Sequence, residues 1–121
     1  MNSLIAFFEI PASDFKRAVD FYETILDVKL SVFECETEKM ACFTENGTTV
    51  GAISYAPGFN PSENGVLIHF HCSNLEQTLG KITAKGGKVI TPKTKIEAEG
   101  RGYFALFTDT EGNKAGICSD R

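Results

Sequence analysis

Basic residues never run longer than the pair Lys16-Arg17, and acidic side chains outnumber basic ones, 16 to 12, for a net charge of -4. Phosphate backbones are gripped by clustered Lys and Arg, so nucleic acid is excluded as the main partner. No apolar stretch exceeds the length of a strand, which argues against a membrane partner. Met1-Asn2-Ser3-Leu4 carries neither a basic leader nor a small-residue cleavage site, so the cytoplasm is the expected compartment. The four cysteines (Cys35, Cys42, Cys72 and Cys118) are scattered, with no C-x-x-C pair. That spacing suits neither a compact zinc site nor a disulfide framework, and they read as small apolar strand residues. A glycine-rich phosphate loop and a nucleophile elbow are also missing.

What the chain does have is ordinary globular material. Its 121 residues are 42% hydrophobic and 23% charged. This fits a single domain over residues 1–121, built from one fold or from two half-size modules that share one. The second option is favoured by an internal echo. Leu4-Ile5-Ala6-Phe7-Phe8-Glu9-Ile10 leads into Ser13-Asp14 and the helical spacing of Phe15, Ala18, Val19, Tyr22, Ile25 and Leu26. Sixty positions on, Leu67-Ile68-His69-Phe70-His71-Cys72 leads into Ser73-Asn74-Leu75-Glu76 and a second amphipathic run.

Each half predicts strand, helix and three strands. In module one, residues 1–57, strands are expected near 4–10, 28–36, 39–45 and 48–56, with a helix near 14–26. Pro11 ends the first strand, and Asn46-Gly47 makes a tight hairpin because both residues tolerate positive φ. Residues 57–65 form a linker rich in turn formers. In module two, residues 66–121, a strand near 66–72 precedes a helix with a capping box at Ser73 and Glu76. Gly86-Gly87 stops that helix near Lys85. Strands near 87–91, 102–109 and 113–118 complete the half. Thr91 to Gly102 is polar enough to predict a loop, either a lid or a solvated excursion.

These elements, with the F-E-I-P-A-S-D…A-V-D-F-Y…I-L opening, G-G-K-V after the second helix and D-T-E-G-N near the C-terminus, resemble the vicinal oxygen chelate superfamily. That group takes in glyoxalase I, extradiol dioxygenases and bleomycin-resistance proteins, and the likeness extends to its lactoylglutathione-lyase-related branch. The resemblance implies an α+β fold of two tandem βαβββ modules, with curled mixed sheets around a cavity and helices on the convex side. It implies a small-molecule ligand or substrate and a homodimer. Metal-dependent members place four ligands on the first and last strands of the modules. The matching positions here are Phe7, Ala52 (or Gly51), Leu67 and Gly116, and none offers a nitrogen, oxygen or sulfur donor to a divalent ion. No metal or other cofactor is therefore expected.

Side chains two apart share a sheet face. Glu9, His69 and His71 fall opposite the all-apolar rows Ala6, Phe8, Ile10 and Ile68, Phe70, Cys72, so they should point into the concavity. Three readings stand for this trio. It can be an acid–base or ligand-binding group, a displaced metal site, or a polar cluster that merely satisfies itself at the module seam. Phe7, Phe33, Phe43, Ala52, Tyr55, Leu67, Tyr103, Phe104 and Gly116 are candidates for the cavity wall, and Arg101 for clamping an anion. The corresponding functions are a lyase or isomerase using Glu9, His69 and His71, a metal-free binding protein, or a fold kept for assembly.

Overall fold

A computed structural model describes residues 3–98 and 100–121. Met1, Asn2 and, within the expected 91–102 loop, Glu99 lie outside the described residues. The chain runs β1 (Phe8–Pro11), α1 (Phe15–Leu26), β2 (Ser31–Glu34), β3 (Lys39–Glu45), β4 (Thr48–Tyr55), β5 (His69–His71), α2 (Leu75–Ala84), β6 (Lys88–Lys95), β7 (Tyr103–Thr108) and β8 (Lys114–Ser119). The strands form two curled four-stranded mixed sheets, ordered β1-β4-β3-β2 and β5-β8-β7-β6. Each sheet has one parallel pair, β1 with β4 and β5 with β8, where the helix carries the chain across. The two βαβββ units expected from the repeat are thus present.

Register sorts the side chains. Phe8, Gly51 and Phe43 share one row, and Ile10, Ile53 and Ala41 the next. Phe70, Ile117 and Ala105 do the same in the second sheet. These rows meet Phe15, Ala18, Phe21, Tyr22 and Ile25 of α1 and Leu75 and Ile82 of α2 in one core. Rings interlock where the modules join: Phe8 to Phe70 at 6.0 Å, Phe43 to Phe70 at 5.7 Å and Tyr22 to Phe70 at 5.6 Å between centroids.

Several expected boundaries move. The opening strands shrink to Phe8–Pro11 and His69–His71. Pro11 ends β1 from within as its last residue, since an edge strand tolerates a residue without an N–H. The cap expected at Ser73 shifts by one. Asp14 accepts from Arg17 N, and sixty residues later Asn74 accepts from Gln77 N, so Ser73 is not the cap. The polar stretch after Thr91 is not all loop. β6 continues to Lys95 as the outer edge of its sheet, with register shifts on either side of Thr91 that accommodate Pro92.

Candidate functional site

The faces away from the helices carry the polar residues singled out by alternation. Glu9 lies in register with Ala52 and Cys42, and Phe33 with Met40 and Ser54. His69 lies in register with Gly116 and Leu106, and His71 with Cys118 and Phe104. Glu9, His69 and His71 are all exposed. Ala52 is fully buried beside Glu9. Phe7 and Leu67, just before β1 and β5, are 38% and 37% exposed.

The trio does not meet as one cluster. Glu9 Oε1 accepts a hydrogen bond of 2.7 Å from the buried Ser54 hydroxyl. His69 Nδ1 lies 3.7 Å from Cys118 Sγ. Among the described residues the ion pairs are Arg17–Glu111 and Lys85–Asp20, so no carboxylate–imidazole pair joins Glu9 to either histidine. The two kinds of group line different cavities at the module seam. One, of about 260 Å³, has Phe8, Phe43, Phe70 and Leu30 as its apolar wall, and its lining also includes Lys29, Thr44, Glu45 and the β5 residues His69 and His71. The other, of about 350 Å³, places Glu9 with Phe59, Val66, Asn113 and Lys114. The internal repeat relates them, since one lies between β5 and the start of β4 and the other between β1 and the start of β8.

The remaining candidates are dispersed. Phe43 belongs to the helix-side row and reaches the first cavity from there. Tyr55, in register with Lys39, lies on the helix side, where the Lys39 ammonium sits 5.9 Å from its ring. Tyr103 is also on the helix-side row, with Lys93 Nζ 4.5 Å from its centroid. Phe33 is 63% exposed on the edge strand β2. Arg101 is exposed between β6 and β7. Gly116 sits directly under the His69 ring, and a Cβ there would overlap that ring.

The side chains do not fit the metal that the resemblance implies. Positions 7, 52, 67 and 116 carry no donor atoms, and among the described residues no three His, Cys, Asp or Glu side chains converge on a common point.

A buried polar network at the seam was not expected from the sequence. The Tyr22 hydroxyl donates to Asp109 Oδ2 at 2.6 Å. Asp109 Oδ1 accepts from the backbone N–H groups of Glu111 and Asn113. Asn113 Nδ2 donates to Pro11 O, and its Oδ1 accepts from Ser62 N. Burial, followed by the negative charge of Asp109, pushes the Tyr22 hydroxyl well above its ordinary value. Above this network Glu111 Oε1 accepts from the N–H groups of Ser13 and Asp14 at the start of α1, while Arg17 Nε donates to Oε2 at 2.7 Å. The only sequence signal was the D-T-E-G-N stretch near the C-terminus, which entered as a motif of the family resemblance and not as a buried network.

The family model described as Glyoxalase/Bleomycin resistance protein/Dioxygenase superfamily matches residues 4–117. A glyoxylase-like domain-containing protein of Didymella fabae is 29% identical over 125 residues, covering 98% of this chain and 95% of that protein. Glyoxalase I from Zea mays superposes with a TM-score of 0.76 at 17% identity, over 95% of this chain and 45% of that one. This chain therefore spans less than half the length of the maize enzyme. The fosfomycin resistance protein FosX of Listeria monocytogenes superposes with a TM-score of 0.70 at 16% identity, covering 98% and 92%.

Proposed function

The chain belongs to the Glyoxalase/Bleomycin resistance protein/Dioxygenase superfamily, and from that premise we propose that it binds a small molecule at the module seam without a metal ion. The ligand occupies the cavity walled by Phe8, Phe43 and Phe70, with its polar end against His69 and His71. Three aromatic rings in so small a space favour a flat, largely apolar body. Imidazole N–H groups favour oxygen acceptors on that body. The observation that carries this reading is the pairing of an aromatic cavity with ligand positions that hold only carbon and hydrogen.

Binding is favoured over lyase or isomerase chemistry by the placement of Glu9. Acid–base work needs its carboxylate within hydrogen-bond reach of the same substrate atoms as the imidazoles. Glu9 instead lines the other cavity and is held by Ser54.

The proposed assembly is a homodimer. Leu4, Ile5, Val66 and Phe33 are 99%, 67%, 88% and 63% exposed, which supports a partner copy against these segments. Four free thiols suit a reducing cytoplasm.

Thermal shift against a panel of small aromatic carboxylic acids tests the binding. A true ligand at 100 times its Kd adds about 2.7 kcal/mol of stability. His69→Ala and His71→Ala should each weaken that ligand about tenfold. A panel without shifts, or a ligand indifferent to both substitutions, overturns the reading. Light scattering of the purified chain tests the dimer.

A further inference from the structure

On the face opposite the helices, Cys118 of β8 lies beside His69 of β5, with Sγ 3.7 Å from Nδ1. The contact is built by the sheet. His69 is in register with Gly116, and because Gly116 has no side chain the imidazole occupies the space a Cβ would take and reaches the sulfur two residues on. Cys118 is only half-buried, so the sulfur stays within reach of a solute. His69 is exposed, so its ring is open to water and to a bound molecule. Neither atom is consumed by the core.

We infer that Cys118 and His69 form a nucleophile–base pair that adds the Cys118 thiol to a small carbon electrophile, either an activated alkene or a carbonyl compound. In the tautomer protonated at Nε2, Nδ1 accepts from the thiol. In the step the S–H bond breaks and its proton passes to Nδ1. The sulfur electron pair forms the C–S bond, and the displaced π pair settles on the carbonyl oxygen or the carbon next to it. That atom then takes the proton back from the imidazolium, leaving a neutral adduct. No oxidant or second substrate enters the balance.

Burial, and then the neighbouring Cys72, push the Cys118 thiol up, with Arg101 pulling the other way. The sulfur is therefore protonated at rest, and reactivity depends on the imidazole taking the proton during attack. This dependence separates the pair from a cysteine that is reactive through exposure alone. Cys35 supplies the comparison, being exposed on the β2–β3 connection of the first sheet, whereas both histidines belong to the second.

The test is site-resolved alkylation by iodoacetamide, followed by mass spectrometry of wild type, His69→Ala and His69→Phe. The phenylalanine variant keeps a ring over Gly116 and removes only the base. The expected result is a Cys118 rate about tenfold lower in both variants, with the Cys35 rate unchanged. A Cys118 rate maintained in either variant overturns the pair. The measurement needs no ligand, so its failure leaves binding at the seam cavity untouched.

Discussion

The Tyr22 hydroxyl, fully buried on α1, donates at 2.6 Å to Asp109 Oδ2, which is 5% exposed at the β7–β8 turn. One hydrogen bond thus ties the first module's helix to the second module's closing hairpin. Tyr22→Phe removes the donor but leaves Asp109 its two backbone N–H groups and the Asn113 amide. The expected loss is about 1–2 kcal/mol in urea unfolding. Asp109→Ala leaves the tyrosine hydroxyl and the backbone N–H groups of Glu111 and Asn113 without their acceptor, while the Asn113 amide keeps Pro11 O, and should cost about 3 kcal/mol or more.

Above its ordinary titration range the same hydroxyl becomes a liability. Its folded pKa is raised, so its contribution to stability is fully present below about pH 10, the unfolded value, and is lost as pH rises toward the folded one. Alkaline unfolding monitored by circular dichroism should therefore begin at higher pH in Tyr22→Phe than in wild type. Coincident alkaline limbs would mean the hydroxyl is hydrated.

Glu111 gives the opposite sign at low pH. Burial works to raise its carboxyl, but the Arg17 hydrogen bond, the Asp14 N–H and the Thr110 hydroxyl together hold it below the usual range. Its folded pKa is depressed, so the stabilisation is present above roughly pH 4.3, the unfolded value, and is lost as pH falls through the folded one. The Glu111 side chain is fully covered, whereas Arg17 is 52% exposed, so solvent screens the pair from one side. Glu111→Gln should cost about 1 kcal/mol at pH 7 and flatten the acid limb of the stability profile. An unchanged acid limb would assign that limb to other carboxylates.

The repeated βαβββ plan was legible because amphipathic helix spacing, the Asn46-Gly47 turn and the sixty-residue echo all pointed the same way. Strand ends were not. Residues 4–7 alternate like a strand, yet β1 starts only at Phe8, with β4 Gly51 opposite. Alternation records which side chains share a face and is silent about where a neighbouring strand begins. The stretch after Thr91 misled through composition, because edge strands tolerate Lys, Thr and Pro that an inner strand would reject. At the site, alternation separated Glu9, His69 and His71 from the rows of Phe8 and Phe70, as the register does. It could not reveal that Glu9 and the histidines line separate cavities, which depends on how the modules pair. Asp109 and Asn113 were hidden for a related reason, since a turn reads as solvated until the other module covers it.

The donor set leads to a direct expectation about metals. Purified protein should hold less than stoichiometric divalent metal by plasma mass spectrometry, and EDTA should leave its melting temperature unchanged. A tightly held ion at one per chain would require donors other than the side chains at 7, 52, 67 and 116, and would reopen the role of His69 and His71.

Gly51 and Gly116 each lie beneath a ring of the neighbouring strand, and a Cβ at either position would overlap that ring. The consequences should differ because the rings do. Phe8 packs against the core between Phe43 and Phe70, with centroids 5.6 and 6.0 Å away, so displacing it disturbs both ring contacts. Gly51→Ala is therefore overpacking and should cost about 2–3 kcal/mol. His69 is exposed and can swing outward at little expense. Gly116→Ala should cost less than about 1 kcal/mol in the same urea titration, while moving the imidazole away from Cys118. Equal losses in the two variants would show that the His69 ring is as firmly held as Phe8, and that the second sheet is closed over it.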